Sequence, residues 1–427
     1  MNISAIHSLF LQCSSVSIDT RKIEVGSLFI AIKGERFDAN TFAQEALDKG
    51  ASYVIIDNEA YFIDARTILV GDSLSALQQL AQFHRQYLDL PIIALTGSNG
   101  KTTTKELIQV VLSQKYNTKA TVGNLNNHIG VPLTLLSFTS ETEIGIVEMG
   151  ANHQKEIAFL CELATPNYGY ITNFGKAHLE GFGGVQGVIK GKSEMYQYLQ
   201  KSDGLAFVNY DDPIQFEKSM VLRHYSFSAN NADADIKISS VSANPLVETR
   251  YDDIVVKSQL IGLYNGSNLC AALAIGKYFE VSNSLIKEAL ESYVPENNRS
   301  QLLSKGRNQI ILDAYNANPS SMLVAIQNFV QLEGQNKIMI LGDMFELGEE
   351  SNAEHKAIVE SSLINNDVNC VFVGKAFYDN RIEQSNFKFY ENFDDFAKSF
   401  KGLSSDDCLI LIKGSRGMAL ERTLDFL

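Results

Sequence analysis

From Ile92 to Gln114 the chain reads as an apolar strand, a glycine turn and a helix with nothing between them: Ile92–Leu95, then Thr96-Gly97-Ser98-Asn99-Gly100-Lys101-Thr102-Thr103, then helical spacing over Thr102–Gln114. This succession restricts the fold more than any other feature. A buried strand that turns straight into a helix belongs to a sheet whose next strand runs parallel. The two glycines let backbone amides face inward around an anion, and the helix N-terminus adds partial positive charge. Lys101 then reaches β- and γ-phosphates, while the Thr102 hydroxyl suits Mg²⁺. The usual phosphate loop has a further glycine five positions before Gly100, where this chain has Leu95, so the loop is a shortened GxxGKT form.

The surrounding pattern extends the α/β theme. Ile144–Val147 and Tyr168–Thr172 read as strands, and Gln154–Leu163 as a helix. A β-rich stretch at 223–261 precedes helices at 267–279 and 284–292, and the turn around Pro295–Asn298 marks a hinge. Upstream, Ser27–Ile32, Tyr53–Ile56 and Thr67–Val70 form a small unit that the amphipathic helix Ser73–Leu88 connects to the rest. Downstream, strands are expected at Ile310–Leu312, Lys337–Leu341, Cys370–Val373 and Cys408–Ile412. At 427 residues three domains are expected, at 1–85, 86–296 and 297–427, each α/β, the middle one with a mostly parallel sheet and the last Rossmann-like.

A net charge of −14 disfavours nucleic acid and anionic membranes, so an anionic ligand needs local donors. Five scattered cysteines without a CxxC pair fit a reduced compartment. Met1–Ser14 lacks a basic region and a cleavage site, and no run approaches the ~20 apolar residues of a membrane span. A cytoplasmic monomer, without membrane insertion, is expected.

Three further residues suggest metal or reactive chemistry. Glu148 closes the run Ile144-Gly-Ile-Val-Glu148, which puts a carboxylate at the C-terminal sheet edge where open α/β sheets bind ligands. His178 follows the strand at 168–172. Lys192 has Val185, Val188, Ile189, Met195, Tyr196 and Leu199 at helical spacing around it, so a helix over 185–199 turns it inward while Lys190 points away. A lysine so placed is paired, deprotonated, modified or snorkelling. As a neutral amine it reacts with CO₂ to a carbamate, which turns a cation into an oxygen ligand.

Several motifs together resemble the Mur ligase family over essentially the whole chain. They are the short phosphate loop, Glu148-Met-Gly-Ala-Asn-His-Gln154, Asn173 through Gly183, Gly123-Asn-Leu-Asn-Asn127, Asp313-Ala-Tyr-Asn-Ala-Asn-Pro319, Leu341-Gly-Asp-Met344 with Glu346-Leu-Gly348, and Lys413-Gly-Ser-Arg416. The motifs at 313–319 and 341–348 favour the branch that adds D-Ala-D-Ala. The resemblance implies an ATP-dependent ligase that joins D-Ala-D-Ala to the terminal carboxylate of UDP-N-acetylmuramoyl-tripeptide through an acyl phosphate, in cell-wall precursor synthesis. It implies a catalytic set of Lys101, Glu148, His178 and Lys192. Thr102 and Glu148 would hold one Mg²⁺, His178 a second, and Lys192 would be the carbamate. ATP would contact Gly97, Ser98, Asn99, Gly100, Lys101, Thr102 and Thr103, with Asn265 and Asn268 near the adenine and Arg299, Asp313 and Tyr315 from beyond the hinge. Ser17, Asp19, Thr20, Arg21, Lys33, Gly34, Glu35 and Arg36 resemble the UDP-sugar site, and Asn124, Asn126 and Asn127 the part near the peptide. Tyr264 and Asn40 stand where the family commonly has histidine, and His128 where it often has an acid. The rival readings are a sister ligase that adds a single amino acid or a folate glutamate tail, and a nucleotide switch that hydrolyses ATP without ligation.

Overall fold

The computed structural model describes every residue except 297, 335, 364–366 and 401–406. Asn297, at the expected hinge, therefore lies outside the described residues. The chain folds into three α/β units, each on its own sheet.

In the first, Val16–Ser17, Leu28–Ile30, Tyr53–Ile56 and Thr67–Leu69 form a parallel sheet in chain order. Lys33–Gly34 and Phe37–Asp38 make a separate exposed ribbon. The helix Ser73–Leu88 starts from an Asp72 cap, whose carboxylate accepts from the Ser75 amide, and ends at Asp89 in left-handed backbone. It crosses the expected 85/86 junction and ties the first unit to the second. Its Arg85 donates to the Ala164 and Thr165 carbonyls at 3.1 and 3.2 Å, and Gln78 to the His128 carbonyl at 3.1 Å.

The central sheet has nine strands. From one edge they run Thr118–Ala120, Ile144–Glu148, Ile92–Thr96, Tyr168–Ile171, Leu205–Asn209, Arg223–Ser228 and Ile236–Ala243, all parallel, then Leu246–Tyr251 and Ile254–Ile261, antiparallel. All five residues of Ile92–Thr96 are buried, as a strand covered by helices on both faces requires. After this strand the chain runs out to the Thr118–Ala120 edge, returns through Ile144–Glu148, and crosses to Tyr168–Ile171 on the other flank. The strand order thus reverses at the C-terminal end of Ile92–Thr96, the point where such sheets open a crevice for ligands.

In the third unit the order is Gln301–Lys305, Asn308–Asp313, Leu409–Lys413, Lys337–Gly342, Val368–Val373 and Phe387–Tyr390, parallel except for the first pair. The four inner strands match the expected ones. The two edge strands have weaker apolar patterns and acquire their form from their neighbours. The single helix expected over 185–199 is two, Val185–Lys192 and Glu194–Lys201. At their joint the Ser193 hydroxyl donates to the Ile189 carbonyl at 2.6 Å, a back-bond that bends helices. Among the described residues no helix is long and apolar enough to cross a membrane.

One buried ion pair sits at the heart of the third unit. Asp313 and Lys413 are register partners at the ends of neighbouring parallel strands, with Lys413 Nζ donating to Asp313 Oδ2 at 2.6 Å and the lysine side chain 2% exposed. Removing one member leaves the other charged and unpaired. Lys413→Ala should therefore cost about 3–5 kcal/mol, read as a lower urea midpoint for the third unit.

Candidate active site

A cavity of about 750 Å³ opens at the strand-order reversal, lined from the central unit on one side and the third unit on the other. Its floor is the loop after Ile92–Thr96. Gly97 and Gly100 have φ of 147° and 78°, in the region glycine enters freely. Neither tolerates a side chain. A Cβ on Gly97 would run into Thr172, and one on Gly100 would lie 2.6 Å from Asn268 Oδ1. The loop is bound to the neighbouring strand end as well: the Asn99 carbonyl accepts from Thr172 Oγ1 at 2.6 Å and Asn173 Nδ2 at 3.0 Å. Lys101 opens the helix Lys101–Leu112, and its Nζ donates to the Gly97 carbonyl at 2.7 Å. Burial lowers the Lys101 pKa from the ordinary lysine value; Glu148 opposes this shift and Arg299 adds to it.

Glu148 projects into the cavity from the strand beside Leu95, its register partner. Only 2% of it is exposed. Oε1 accepts from Asn126 Nδ2 at 2.8 Å, whereas Oε2 is buried with no hydrogen-bond partner among the described residues. A buried carboxylate oxygen without a donor is costly, and a hard cation is the partner that suits it. Among the described residues no three His, Cys, Asp or Glu side chains gather into a metal cage. One carboxylate completed by a hydroxyl, phosphate and water is the usual arrangement for Mg²⁺, and Thr102 lines the same cavity as Glu148.

His178 also faces the cavity, with φ of 53°, an uncommon conformation for a non-glycine residue. Its Nδ1 is in close ion-pair contact with Glu346 Oε2 of the third unit. That contact lowers the Glu346 pKa from the ordinary carboxyl value.

Lys192 sits behind this wall. It is 1% exposed, its Nζ donates to the Ala151 carbonyl at 3.3 Å, and the Phe182 ring centre is 5.2 Å away. Burial first, and the Lys101 charge second, push its pKa well below the ordinary lysine value. Glu156 and Glu194 pull the other way, but Glu194 is occupied as acceptor for the Lys155 and Ala158 amides at 2.6 and 3.0 Å. Lys190, two residues earlier, is exposed.

From the third unit come Arg299, Asp313 and Tyr315. The Arg299 guanidinium lies 3.6 Å from the Tyr315 ring centre, and Arg416 donates to the Tyr315 hydroxyl at 3.2 Å. Asn265 and Asn268 line the cavity too, joined to the phosphate-loop helix because Thr104 Oγ1 donates to Asn268 Oδ1 at 3.0 Å. Asn124, Asn126, Asn127 and His128 form the wall next to Glu148.

The residues compared with a UDP-sugar site are not in this cavity; among the described residues that line it none comes from the first unit. Asp19 and Arg21 pair with each other in an exposed turn that Ser17 closes by donating to the Asp19 carbonyl at 2.9 Å. Thr20 belongs to the same turn. Lys33, Gly34, Glu35 and Arg36 form the exposed ribbon and its tip. Asn40 is fully buried between Asp38 and Asp57, donating to both at 2.7 Å, so it acts there as a structural bridge.

Three contributors were not among the expected site residues: Glu346, Asn318 and Ser320. Asn318 caps the helix Pro319–Gln331 and also donates to Asn99 Oδ1 of the phosphate loop at 2.7 Å, while Ser320 Oγ accepts from the Lys176 amide at 2.8 Å. The capping signal Asn-Pro-Ser-Ser is visible in the sequence, but its second partner 219 positions away is not.

Three family descriptions match consecutive stretches: Mur ligase family, catalytic domain, over residues 12–85; Mur ligase middle domain over 95–276; and Mur ligase, glutamate ligase domain, over 298–416. A UDP-N-acetylmuramoyl-tripeptide–D-alanyl-D-alanine ligase of Bacillus subtilis is 35% identical over 95% of this chain and 91% of its own length. The Escherichia coli ligase of the same name is also 35% identical, over 96% and 92%. Among solved structures, MurF from Acinetobacter baumannii superimposes with a TM-score of 0.85 at 30% identity, over 100% of this chain and 98% of that one. MurF ligase from Thermotoga maritima in complex with ADP does so with a TM-score of 0.84 at 26% identity, over 98% and 97%.

The orphan oxygen yields a direct test. Glu148→Gln keeps an acceptor for Asn126 and should melt like the wild type. Without the second carboxylate oxygen, turnover should fall on the order of 10²-fold or more, read as ADP release across a Mg²⁺ titration.

Proposed function

The chain belongs to the Mur ligase family, and we propose that it uses ATP to join D-Ala-D-Ala to the terminal carboxylate of UDP-N-acetylmuramoyl-tripeptide in peptidoglycan precursor synthesis. The observation that supports this most directly is the cavity itself, where a phosphate loop, an orphan buried carboxylate oxygen and Arg299 converge between two units. A carboxylate is a poor acyl donor because oxide is a poor leaving group. Transfer of the ATP γ-phosphoryl group to the tripeptide carboxylate yields an acyl phosphate and ADP. The dipeptide amine then attacks the carbonyl carbon, the C–N bond forms, and inorganic phosphate leaves with the electron pair of the broken C–O bond.

The first step brings two anions together, so charge neutralisation and alignment dominate it. The loop amides and Lys101 hold the β- and γ-phosphates, and Arg299 faces them from the third unit. Thr102 and Glu148 would hold Mg²⁺, and His178 is the candidate ligand for a second ion. When bound, the metal neutralises phosphate charge and orients the transferred group. Asn265 and Asn268 border the nucleotide, and Asn124, Asn126 and Asn127 the acyl substrate. The turn at Ser17–Arg21 and the ribbon at Lys33–Arg36 remain the candidates for the UDP-sugar, at a distance from the reacting atoms that a long substrate spans. The reaction belongs to the cytoplasm, where ATP is available and the five cysteines stay reduced.

Lys192 is proposed to be a carbamate. Burial beside the Lys101 charge enlarges the neutral-amine fraction that reacts with CO₂. The product carries oxygens that a hard cation prefers, and its negative charge offsets Lys101.

Incubation with ATP, either the lysine or the diaminopimelate UDP-tripeptide and a set of amines should give amide product with D-Ala-D-Ala and little with D-Ala, L-Lys or glutamate. Better product with a single amino acid would move the chain to a sister branch; ADP without any amide would make it a nucleotide switch. Lys192→Ala and Lys192→Arg should both lose most activity, Lys190→Ala little, and small carboxylates at high concentration should partly restore the alanine variant. ¹³C-labelled bicarbonate should give a carbamate carbon signal in the wild type that both Lys192 variants lack. Full activity in Lys192→Arg would remove the carbamate.

A further inference from the structure

Arg299 reaches the cavity from an unusual stretch of backbone. The residues on either side of it, Asn298 and Ser300, have φ of 56° and 48°. Neither is glycine, and L-residues stay in this region only where their surroundings hold them. The guanidinium has little else to aim it: Nε is buried without a hydrogen-bond partner among the described residues, and the Tyr315 ring offers a face rather than a polar anchor. The turn therefore sets where Arg299 points.

Two bonds hold Ser300, which is 6% exposed. Its amide donates to Asp313 Oδ1 at 3.2 Å, and its hydroxyl meets the Tyr264 hydroxyl at 2.7 Å. Asp313 is anchored within the third unit by Lys413. Tyr264 comes from the central unit, in the 3-10 turn Leu263–Asn265 that opens the helix Gly266–Tyr278. Gly262, at φ 87°, makes room for the tyrosine ring, since a Cβ there would run into it. The same segment reaches the phosphate loop, because Asn268 donates to Asn265 at 2.9 Å and accepts from Thr104 at 3.0 Å. Side chains of one short segment thus touch the phosphate-loop helix at one end and the Arg299 turn at the other.

We propose that Tyr264 is a positioning residue for phosphoryl transfer, whose hydroxyl holds Ser300 in its left-handed turn and thereby aims Arg299 at the phosphates. A phenol suits this role because it reaches across the junction on a rigid ring and is uncharged at neutral pH. The inference rests on the ligase reading, but half of its test does not depend on ligation.

The test uses the full-length wild type, Tyr264→Phe, Ser300→Gly and the double variant. Tyr264→Phe removes one oxygen, and glycine at 300 keeps the left-handed turn accessible while it loses the hydroxyl. Steady-state kinetics should show kcat lowered about five- to tenfold in Tyr264→Phe, the size of one neutral hydrogen bond, with KM for ATP nearly unchanged. The double variant should be no worse than Ser300→Gly, since the bond is already absent there. Independently of any ligation, limited trypsin digestion should cut after Arg299 faster in Tyr264→Phe than in the wild type. A wild-type kcat in Tyr264→Phe, wild-type cleavage after Arg299, or multiplied losses in the double variant would each overturn the proposal. A wild type that forms no amide with any amine overturns the ligase reading instead, and the cleavage rates still decide the role of Tyr264 in the turn.

Discussion

The site depends on how closely the loop backbone at the end of the strand Ile92–Thr96 approaches the side chains of Thr172 and Asn268. Gly97 lies against Thr172 with no space for a Cβ, Gly100 lies against Asn268, and Thr172 and Asn173 bind the Asn99 carbonyl. The loop is thus a wedge between a strand end and a helix start, and its amides keep their direction because neither neighbour leaves room to move. Everything else is arranged around that wedge. Glu148 is placed by the register of the adjacent strand, and the turn that carries Arg299 meets, through Ser300, the 3-10 turn that opens the helix of Asn268.

The electrostatics follow from this crowding. Charged groups are gathered largely out of solvent: Glu148 and Arg299 act on the partly buried Lys101, and Lys101 acts in turn on the buried Lys192 behind the cavity wall. Burial alone opposes both lysines, and their proximity makes matters worse for Lys192. Such an arrangement is unfavourable for a resting protein and sensible for one that receives phosphates, metal and a carboxylate. The Oε2 of Glu148 and the Nε of Arg299 belong to the same account: both are buried polar atoms without hydrogen-bond partners among the described residues.

The third unit reaches the central one through side chains rather than a shared sheet. Asn318 to Asn99, Ser320 to the Lys176 amide, Glu354 to Lys176 at 2.5 Å and Glu346 to His178 all bridge the two. These polar contacts flank an apolar one, since a single cluster of buried residues takes in Ile171, Phe174 and Phe182 of the central unit and Ala317, Met322 and Met344 of the third. The same cluster takes in the helix Ser73–Leu88 between the first two units.

The sequence by itself determined the repeated α/β pattern, the phosphate loop, the inner strands of the first and third sheets, the central strands near 92–95, 144–147 and 168–172 though not Leu205–Asn209, and the inward face of Lys192. These are local or periodic properties: apolar runs, glycines in a strand-to-helix turn, and helical spacing are written into neighbouring residues. The edge strands Gln301–Lys305 and Phe387–Tyr390 and the break at Ser193 were not legible, because pairing and packing rather than local preference shape them. Nor were the pairs that complete the cavity. Lys413 meets Asp313 and Tyr264 meets Ser300 across 100 and 36 positions, and Asn318 was readable as a helix cap but not as a partner of Asn99. Only the tertiary structure decided these, since a side chain's second partner depends on how strands are ordered and how units close, and no local periodicity encodes either.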